Sequence, residues 1–159
     1  MKTIKVIASL CLGLVSFAAC NGDDDVNKDL EKPTISGTGI VASPIDCQQY
    51  KRGEILPVNY VFGDNQELGE YTLEVHNNFD HHNHEKHNVT CENDENKEPD
   101  KPWVYRKEFK IPSGKKSYTA RHDIPIPNDI DLGDYHFMIY LTDAAGHMQT
   151  LPVSIKIIK

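Results

Sequence analysis

Hydrophobic and polar residues alternate in short runs along the chain after Pro33, and turn residues separate the runs. Alternation with a period of two is typical of half-buried β-strands, and this part of the chain shows no convincing helical period. The pattern predicts seven strands, at about 34–42, 55–62, 71–76, 103–111, 118–126, 135–142 and 151–158. Strands of this number and spacing favour an all-β fold, an immunoglobulin-like antiparallel sandwich of seven strands.

The longest connection between predicted strands follows the third strand, over residues 77–101. It is rich in Asn, Asp, Glu and His, and a loop of this length in a compact domain is usually functional or disordered. A second feature, Leu132-Gly133-Asp134-Tyr135, opens the sixth strand and looks like a tyrosine corner, in which the hydroxyl bonds to the preceding backbone. Neither feature specifies chemistry, since this architecture carries many functions.

A histidine-rich tract lies where the third strand passes into the long loop. Five of the eight histidines fall between residues 76 and 87, in the sequence H-N-N-F-D-H-H-N-H-E-K-H. Neutral imidazole is the commonest metal ligand in proteins, so a short tract of this kind predicts a metal site. The spacing matches neither a zinc finger nor the H-E-x-x-H motif of metalloproteases, and it therefore indicates a metal without indicating a reaction.

The predicted sandwich places two histidines on neighbouring strands. The third and sixth strands pair antiparallel in this topology, so the end of one lies beside the start of the other. Alternation places His76 and His136 on the outward faces of these strands. Directly opposed residues on one face have Cβ atoms about 5 Å apart, close enough for two imidazoles to share one metal ion.

The start of the loop supplies further candidate ligands at the same edge. The predicted metal-site residues are His76, Asp80, His81, His82, His84 and His136. Asp80 is predicted either to bind the metal or to fix the tautomer of an imidazole that does. An all-nitrogen site suits zinc, nickel or copper(II), whereas the nearby thioether of Met138 would favour copper(I). His147, at the opposite end of the sixth strand, is left out, and the alternative is a solvated loop whose histidines bind nothing.

The first residues resemble a bacterial lipoprotein export signal. Lys2 and Lys5 precede an apolar run over 6–19, which is too short for a membrane span. The run leads into Phe17-Ala18-Ala19-Cys20, which resembles a lipobox. It predicts a lipoprotein signal peptide over 1–19, with Cys20 as the lipidated first residue of the mature protein. The alternative is simple secretion, with Cys20 removed or left as a free thiol.

An acidic segment follows the predicted lipidation site. Residues 20–32 show no apolar periodicity and predict a flexible tether to a single domain over 33–159. The run Asp23-Asp24-Asp25 resembles the surface-export signal of Bacteroidetes lipoproteins, which predicts an outer-membrane protein exposed at the cell surface. The net charge of −7 argues against nucleic acid as a partner, because phosphate binding needs a basic face.

Two cysteines, Cys47 and Cys91, remain in the predicted domain. Export would place them in an oxidising compartment, where a pair of cysteines usually forms a disulfide. The competing interpretation makes one of them a thiolate ligand for the same metal.

Several segments together resemble a family of short Bacteroidetes lipoproteins known as a domain of unknown function. The segments are Cys20, Cys47, LEVHNNFDHHNH over 73–84, Phe109-Lys110-Ile111-Pro112, Gly133-Asp134-Tyr135-His136 and Thr142-Asp143. The resemblance covers most of the mature chain, and the NFDHHNH segment is its most specific part. It implies an immunoglobulin-like sandwich and a surface lipoprotein, and it implies no activity.

These observations lead to the hypothesis of a surface lipoprotein that captures or buffers zinc or copper outside the cell. The alternative is a module that binds glycans or proteins, with the histidine-rich loop as its recognition surface. Trp103 and Tyr105 could stack against sugar, although strand aromatics more often belong to the core. A metal-dependent hydrolase would need a general base beside the metal. No catalytic constellation is recognisable, so the chain is not expected to be an enzyme.

Overall fold

The computed structural model describes residues 28–84 and 89–159, which form eight β-strands. The strands are β1 (Thr34–Ser36), β2 (Gln48–Lys51), β3 (Ile55–Gly63), β4 (Leu68–Asn77), β5 (Tyr105–Lys110), β6 (Ser117–Pro125), β7 (Gly133–Asp143) and β8 (Met148–Ile158). The described ranges contain no helix that is long and apolar enough to cross a membrane. The predicted signal peptide, Cys20, most of the predicted tether and His87 lie outside the described residues.

The strands form two sheets. One has three strands in the order β1-β3-β6, and the other has five in the order β2-β8-β7-β4-β5. Neighbouring strands are antiparallel except β2 and β8, which run parallel. The all-β prediction is confirmed, but the described chain has eight strands instead of seven, and the larger sheet is mixed rather than wholly antiparallel.

The additional strand is β2, and its sequence explains why alternation does not predict it. Its four residues include one buried side chain, Tyr50, and are too few to show a period of two. The strand is held by pairing with β8, where Gln48 lies opposite Ile155. The first strand is shorter than predicted, because β1 ends at Ser36 and the chain then turns at Gly39, whose φ is 78°.

The core lies between the two sheets, and the alternation of the sequence positions it. Tyr71, Leu73 and Val75 of β4 are each no more than 1% exposed. The predicted inward residues of β7 are equally buried, and they are Tyr135, Phe137, Ile139 and Leu141. Between the sheets, Phe62 of β3 meets Tyr71 edge to face, with ring centroids 5.0 Å apart. Burial of such side chains stabilises the fold by about 1.5–3 kcal/mol each, which fixes the outward face of both strands.

Tyr135 has the bonding of a tyrosine corner. Its hydroxyl donates to the Asp131 carbonyl oxygen at 2.8 Å and accepts the Trp103 backbone N–H at 3.2 Å. The bond to Asp131 is the one that the sequence predicted, and the bond from Trp103 also ties the end of the long loop to the start of β7.

The long loop after β4 is fastened to the five-stranded sheet. Cys47 and Cys91 form a disulfide with Cα atoms 5.3 Å apart, which confirms the predicted pair and excludes either sulfur as a thiolate ligand. Further along the loop, the Asp94 N–H donates to Asp134 Oδ2 at 2.7 Å. These contacts hold the described part of the loop beside the first residues of β7, where His136 lies.

Candidate metal centre

Two histidines lie opposite each other on the neighbouring strands β4 and β7, near the end of β4 and the start of β7. In the antiparallel register of β4 and β7, His76 lies directly opposite His136, as the predicted pairing of these two strands implied. Their ring centroids are 5.5 Å apart. Because Val75 and Phe137 point into the core, the two imidazoles share the outer face of the sheet.

The loop brings two more imidazoles onto His76. The Nε2 atom of His82 lies 3.2 Å from Nε2 of His76, and Nε2 of His84 lies 3.1 Å from the same atom. One ligand atom from each of the three residues falls within 4.8 Å of the others. Three ring nitrogens therefore converge beside the end of β4.

The spacing of these nitrogens fits a metal ion. A tetrahedral zinc ion with Zn–N bonds of about 2.1 Å would hold its ligand nitrogens about 3.4 Å apart. The observed separations of 3.1 and 3.2 Å are close to that value. One imidazole proton can bridge only one of these nitrogen pairs, whereas a metal ion accepts the lone pairs of all three.

Carboxylates hold the far side of two of the rings. Asp80 Oδ1 lies 2.6 Å from His82 Nδ1. Glu74 Oε1 lies 3.1 Å from His76 Nδ1, a close contact that is not aligned as a hydrogen bond. A carboxylate at Nδ1 keeps the ring proton there and leaves the Nε2 lone pair for a metal. Of the two roles predicted for Asp80, the geometry favours fixing the tautomer of His82.

Glu74 is a part of the site that sequence reasoning missed. It lies two residues before His76 on the outward face of β4, and it also pairs with Arg106 of β5. The sequence signal for its role was that Glu74 lies two residues before His76, on the same face of the strand. A carboxylate at an outward strand position is so common, however, that it predicts nothing by itself.

His136 lies within the ring cluster but turns one nitrogen towards the loop backbone. The six centroid separations among His76, His82, His84 and His136 range from 4.6 to 5.5 Å. Four imidazoles around a tetrahedral zinc ion would have centroids about 5.2 Å apart. The Nε2 of His136 lies 3.2 Å from the His82 carbonyl oxygen, and a proton donated there leaves the lone pair on Nδ1. His136 is thus beside the three converging nitrogens rather than among them.

Burial favours the neutral form of two of these imidazoles, His136 and His76. It lowers the pKa of His136 to about 4, and the neighbouring histidines add to the effect. Burial also lowers the pKa of His76, although the Glu74 carboxylate opposes this shift. Because a metal binds only the neutral ring, lone pairs stay available below the ordinary histidine pKa of about 6.5.

The other predicted residues lie at the margin of the site. His81 is half-buried, and within the described chain it does not join the converging group. The φ of His81, 56°, lies in the left-handed region of backbone conformation. This local turn directs the His81 side chain differently from that of His82. Met138 is buried and lies opposite Glu74. It is two residues after His136 on the same face of β7.

An open hollow borders the imidazoles. Its volume is about 470 Å³, and His76, Asp80 and His82 line it together with Lys97 from the loop. The cluster therefore has one side against the sheet and one side through which an ion could enter.

The same stretch of chain matches a known family. A family model described as Domain of unknown function (DUF4625) matches residues 18–158. The chain belongs to this family. The DUF4625 match spans the histidine cluster and both disulfide cysteines, and it confirms the expected membership in a family of unknown function. No curated protein matches the chain.

Proposed function

We propose that this DUF4625 protein binds a transition metal ion through His76, His82 and His84 and captures or buffers that ion outside the cell. The observation that carries the proposal is that the Nε2 atoms of His82 and His84 lie 3.2 and 3.1 Å from Nε2 of His76. His136 is the fourth group, either as a ligand through Nδ1 or as the donor that holds the His82 carbonyl. Binding rather than catalysis is proposed, because both carboxylates beside the rings already contact Nδ1 atoms.

The donor set narrows the choice between zinc and copper. Imidazole nitrogens suit zinc(II) and copper(II), whereas soft sulfur ligands favour copper(I). The two cysteine sulfurs of the described chain are joined to each other, so neither offers a thiolate. We therefore place zinc(II) first and copper(II) second.

We infer that the fold is a variant of the immunoglobulin-like sandwich. Support comes from the order β1-β3-β6 in one sheet, the order β8-β7-β4 within the other, and the bonded tyrosine before the main body of β7. In this view β2 is an added edge strand on β8. The arrangement accounts for the site, because it sets the end of β4, and the loop that follows, beside the start of β7.

The proposal also places the protein on the outer membrane at the cell surface, attached through a lipid on Cys20. It is supported by the signal-like residues 1–19, the lipobox-like FAAC sequence and the acidic segment 20–32. The Cys47–Cys91 disulfide agrees with an exported protein, because such bonds persist in oxidising compartments.

A glycan- or protein-binding module is the alternative function. Trp103 is 4% exposed and so offers no face on which a sugar could stack. Binding of a partner that persists in a strong chelator would favour this alternative over the metal site.

The matched variants His82→Asn and His81→Asn test the metal site. Asn is chosen because it tolerates the left-handed backbone of His81. Of the two substituted residues, His82 belongs to the converging group and His81 does not. In protein without an affinity tag, we expect His82→Asn to lower zinc affinity by roughly 100-fold. His81→Asn should lower it by less than about 3-fold. The measurement is isothermal titration with a competing chelator, and equal losses in the two variants would overturn the assignment.

A further inference from the structure

A second group of potential ligands lies at the opposite end of β7 from the histidine cluster. Asp143 ends β7, His147 precedes the first residue of β8, and Asp29 belongs to the segment before β1. One ligand atom from each of the three falls within 4.8 Å of the others. None of them takes part in the site described above.

The two carboxylates of this group are buried together. Asp29 is 8% exposed and Asp143 is 3% exposed. Among the described residues no Lys or Arg side chain pairs with either carboxylate, and the ion-pair contact present joins His147 Nδ1 to Asp143 Oδ2 at 3.0 Å. Two buried negative charges in one place are unfavourable unless a cation compensates them, and a single imidazolium would leave one charge over.

Asp29 has unused capacity to bind a ligand. Its Oδ1 accepts the Glu31 N–H at 3.1 Å, and no other hydrogen bond within the described chain reaches its carboxylate. Asp143, by contrast, accepts the His147 N–H on Oδ1 at 2.8 Å and so orders the turn into β8. A carboxylate more than nine-tenths buried, turned towards a second carboxylate and an imidazole, is therefore left without a positive partner.

A surface hollow leads to this group. Its volume is about 630 Å³, and its lining includes Asp29, Glu67 and Lys116. The Lys116 ammonium donates to the Asn65 carbonyl oxygen at 2.8 Å and pairs with neither aspartate. An ion could therefore reach Asp29 from solvent.

We propose that Asp29, Asp143 and His147 form a second metal site, for zinc(II) or manganese(II), that clamps the segment before β1 to the β7–β8 turn. Carboxylate oxygens with one imidazole nitrogen suit these two ions, whereas calcium takes oxygen ligands throughout. Because Asp29 lies near the end of the predicted tether, the bound ion fixes the domain to the chain that precedes it. The site stands whether or not the histidine cluster binds metal.

Hydrogen exchange of the backbone amides of residues 28–32 tests the clamp in protein without an affinity tag. The parent for the experiment carries His82→Asn, which weakens the histidine cluster and keeps the two sites distinguishable. Zinc(II) and manganese(II) are added separately, and at least one of them should slow exchange of this segment about 10-fold. Asp29→Asn removes that slowing. Glu31→Gln, at an exposed carboxylate on the same segment, keeps it.

His147→Gln is the second variant, because it removes the nitrogen ligand and leaves both carboxylates in place. It should also abolish the slowing, while urea denaturation without metal checks that it is folded. No slowing in the parent with either ion overturns the proposal. The same slowing in the parent and in Asp29→Asn also overturns it, since the ion would then act elsewhere.

Discussion

For single residues, the proposed metal site depends on which nitrogen of each imidazole carries the proton. Asp80 and Glu74 lie at the Nδ1 atoms of His82 and His76, so both rings present Nε2 to the same point. The converging lone pairs are a property of these carboxylates as much as of the histidines. Two predictions follow from protons on individual side chains.

Glu74→Gln should weaken zinc binding about 10-fold, because an amide beside Nδ1 supports the neutral Nδ1–H tautomer of His76 less strongly than a carboxylate does. The matched control is Glu70→Gln, which removes an outward carboxylate of the same strand that pairs with Lys110. Competition with a chromophoric chelator measures both affinities. A control variant that loses as much affinity as Glu74→Gln would point to net charge instead of the contact with His76.

The metal-free protein should become less stable in acid, partly through His136. Its folded pKa of about 4 lies below the ordinary value, so between these values the unfolded chain binds a proton that the folded chain does not. This contribution is complete above about pH 6.5 and decreases as the pH falls towards 4. We expect a loss on the order of 2 kcal/mol, measured by urea denaturation with chelator at pH 7 and pH 4.5. An unchanged pH dependence in His136→Asn would contradict this origin.

For the structural elements, the site joins two paired strands to a loop that needs its own fastening. The strands hold His76 and His136 through their register, whereas His82 and His84 follow β4 on the loop. The Cys47–Cys91 disulfide fastens the middle of that loop next to β2. We therefore expect the positions of His82 and His84 to depend on this disulfide, although neither histidine takes part in it.

The double variant Cys47→Ser/Cys91→Ser should lose about 4 kcal/mol of stability, the chain-entropy value for a separation of 44 residues. It should also bind zinc more weakly, since His82 and His84 would spend less time beside His76. Urea denaturation and zinc titration measure the two effects on the same sample. Full zinc affinity in the folded double variant would mean that the loop is ordered without the disulfide.

For the whole molecule, the two ends of β7 have different roles. His136 and Asp143 are seven residues apart on this strand, which corresponds to about 23 Å at about 3.3 Å per residue. Asp29, the described ligand candidate nearest the predicted lipid anchor in sequence, lies at the Asp143 end. An anchored protein would thus hold its histidine cluster on the side away from the point where the tether arrives.

Cys20→Ser should release the protein from the membrane without changing its zinc affinity, because the predicted lipid is attached outside the folded domain. Membrane fractionation and incorporation of labelled fatty acid follow the anchor. Protease treatment of intact cells expressing the unaltered protein follows surface exposure. Membrane attachment that survives the substitution would refute lipidation at this cysteine.

Short-range patterns in the chain were sufficient for much of the scaffold. The period-two alternation identified both faces of β4 and β7, and the expected antiparallel pairing of these strands gave the facing positions of His76 and His136. It succeeded because buried side chains such as Leu73 and Ile139 must lie on one face of each strand. The predicted export signal, together with two cysteines in the predicted domain, was sufficient to predict the disulfide. Alternation did not predict β2, because its four residues are too few to show a period of two. This strand is held by its pairing with β8.

The composition of the candidate site could be read from the chain only in part, because a loop has no period that assigns direction to its side chains. The path after Asp80 separates His82 and His84 from His81, and ligation itself stays a prediction. Asp29 and His147 were out of reach for the same reason. They are 118 positions apart in the chain (147 minus 29), and it is the packing of the first described segment against the β7–β8 turn that brings them together.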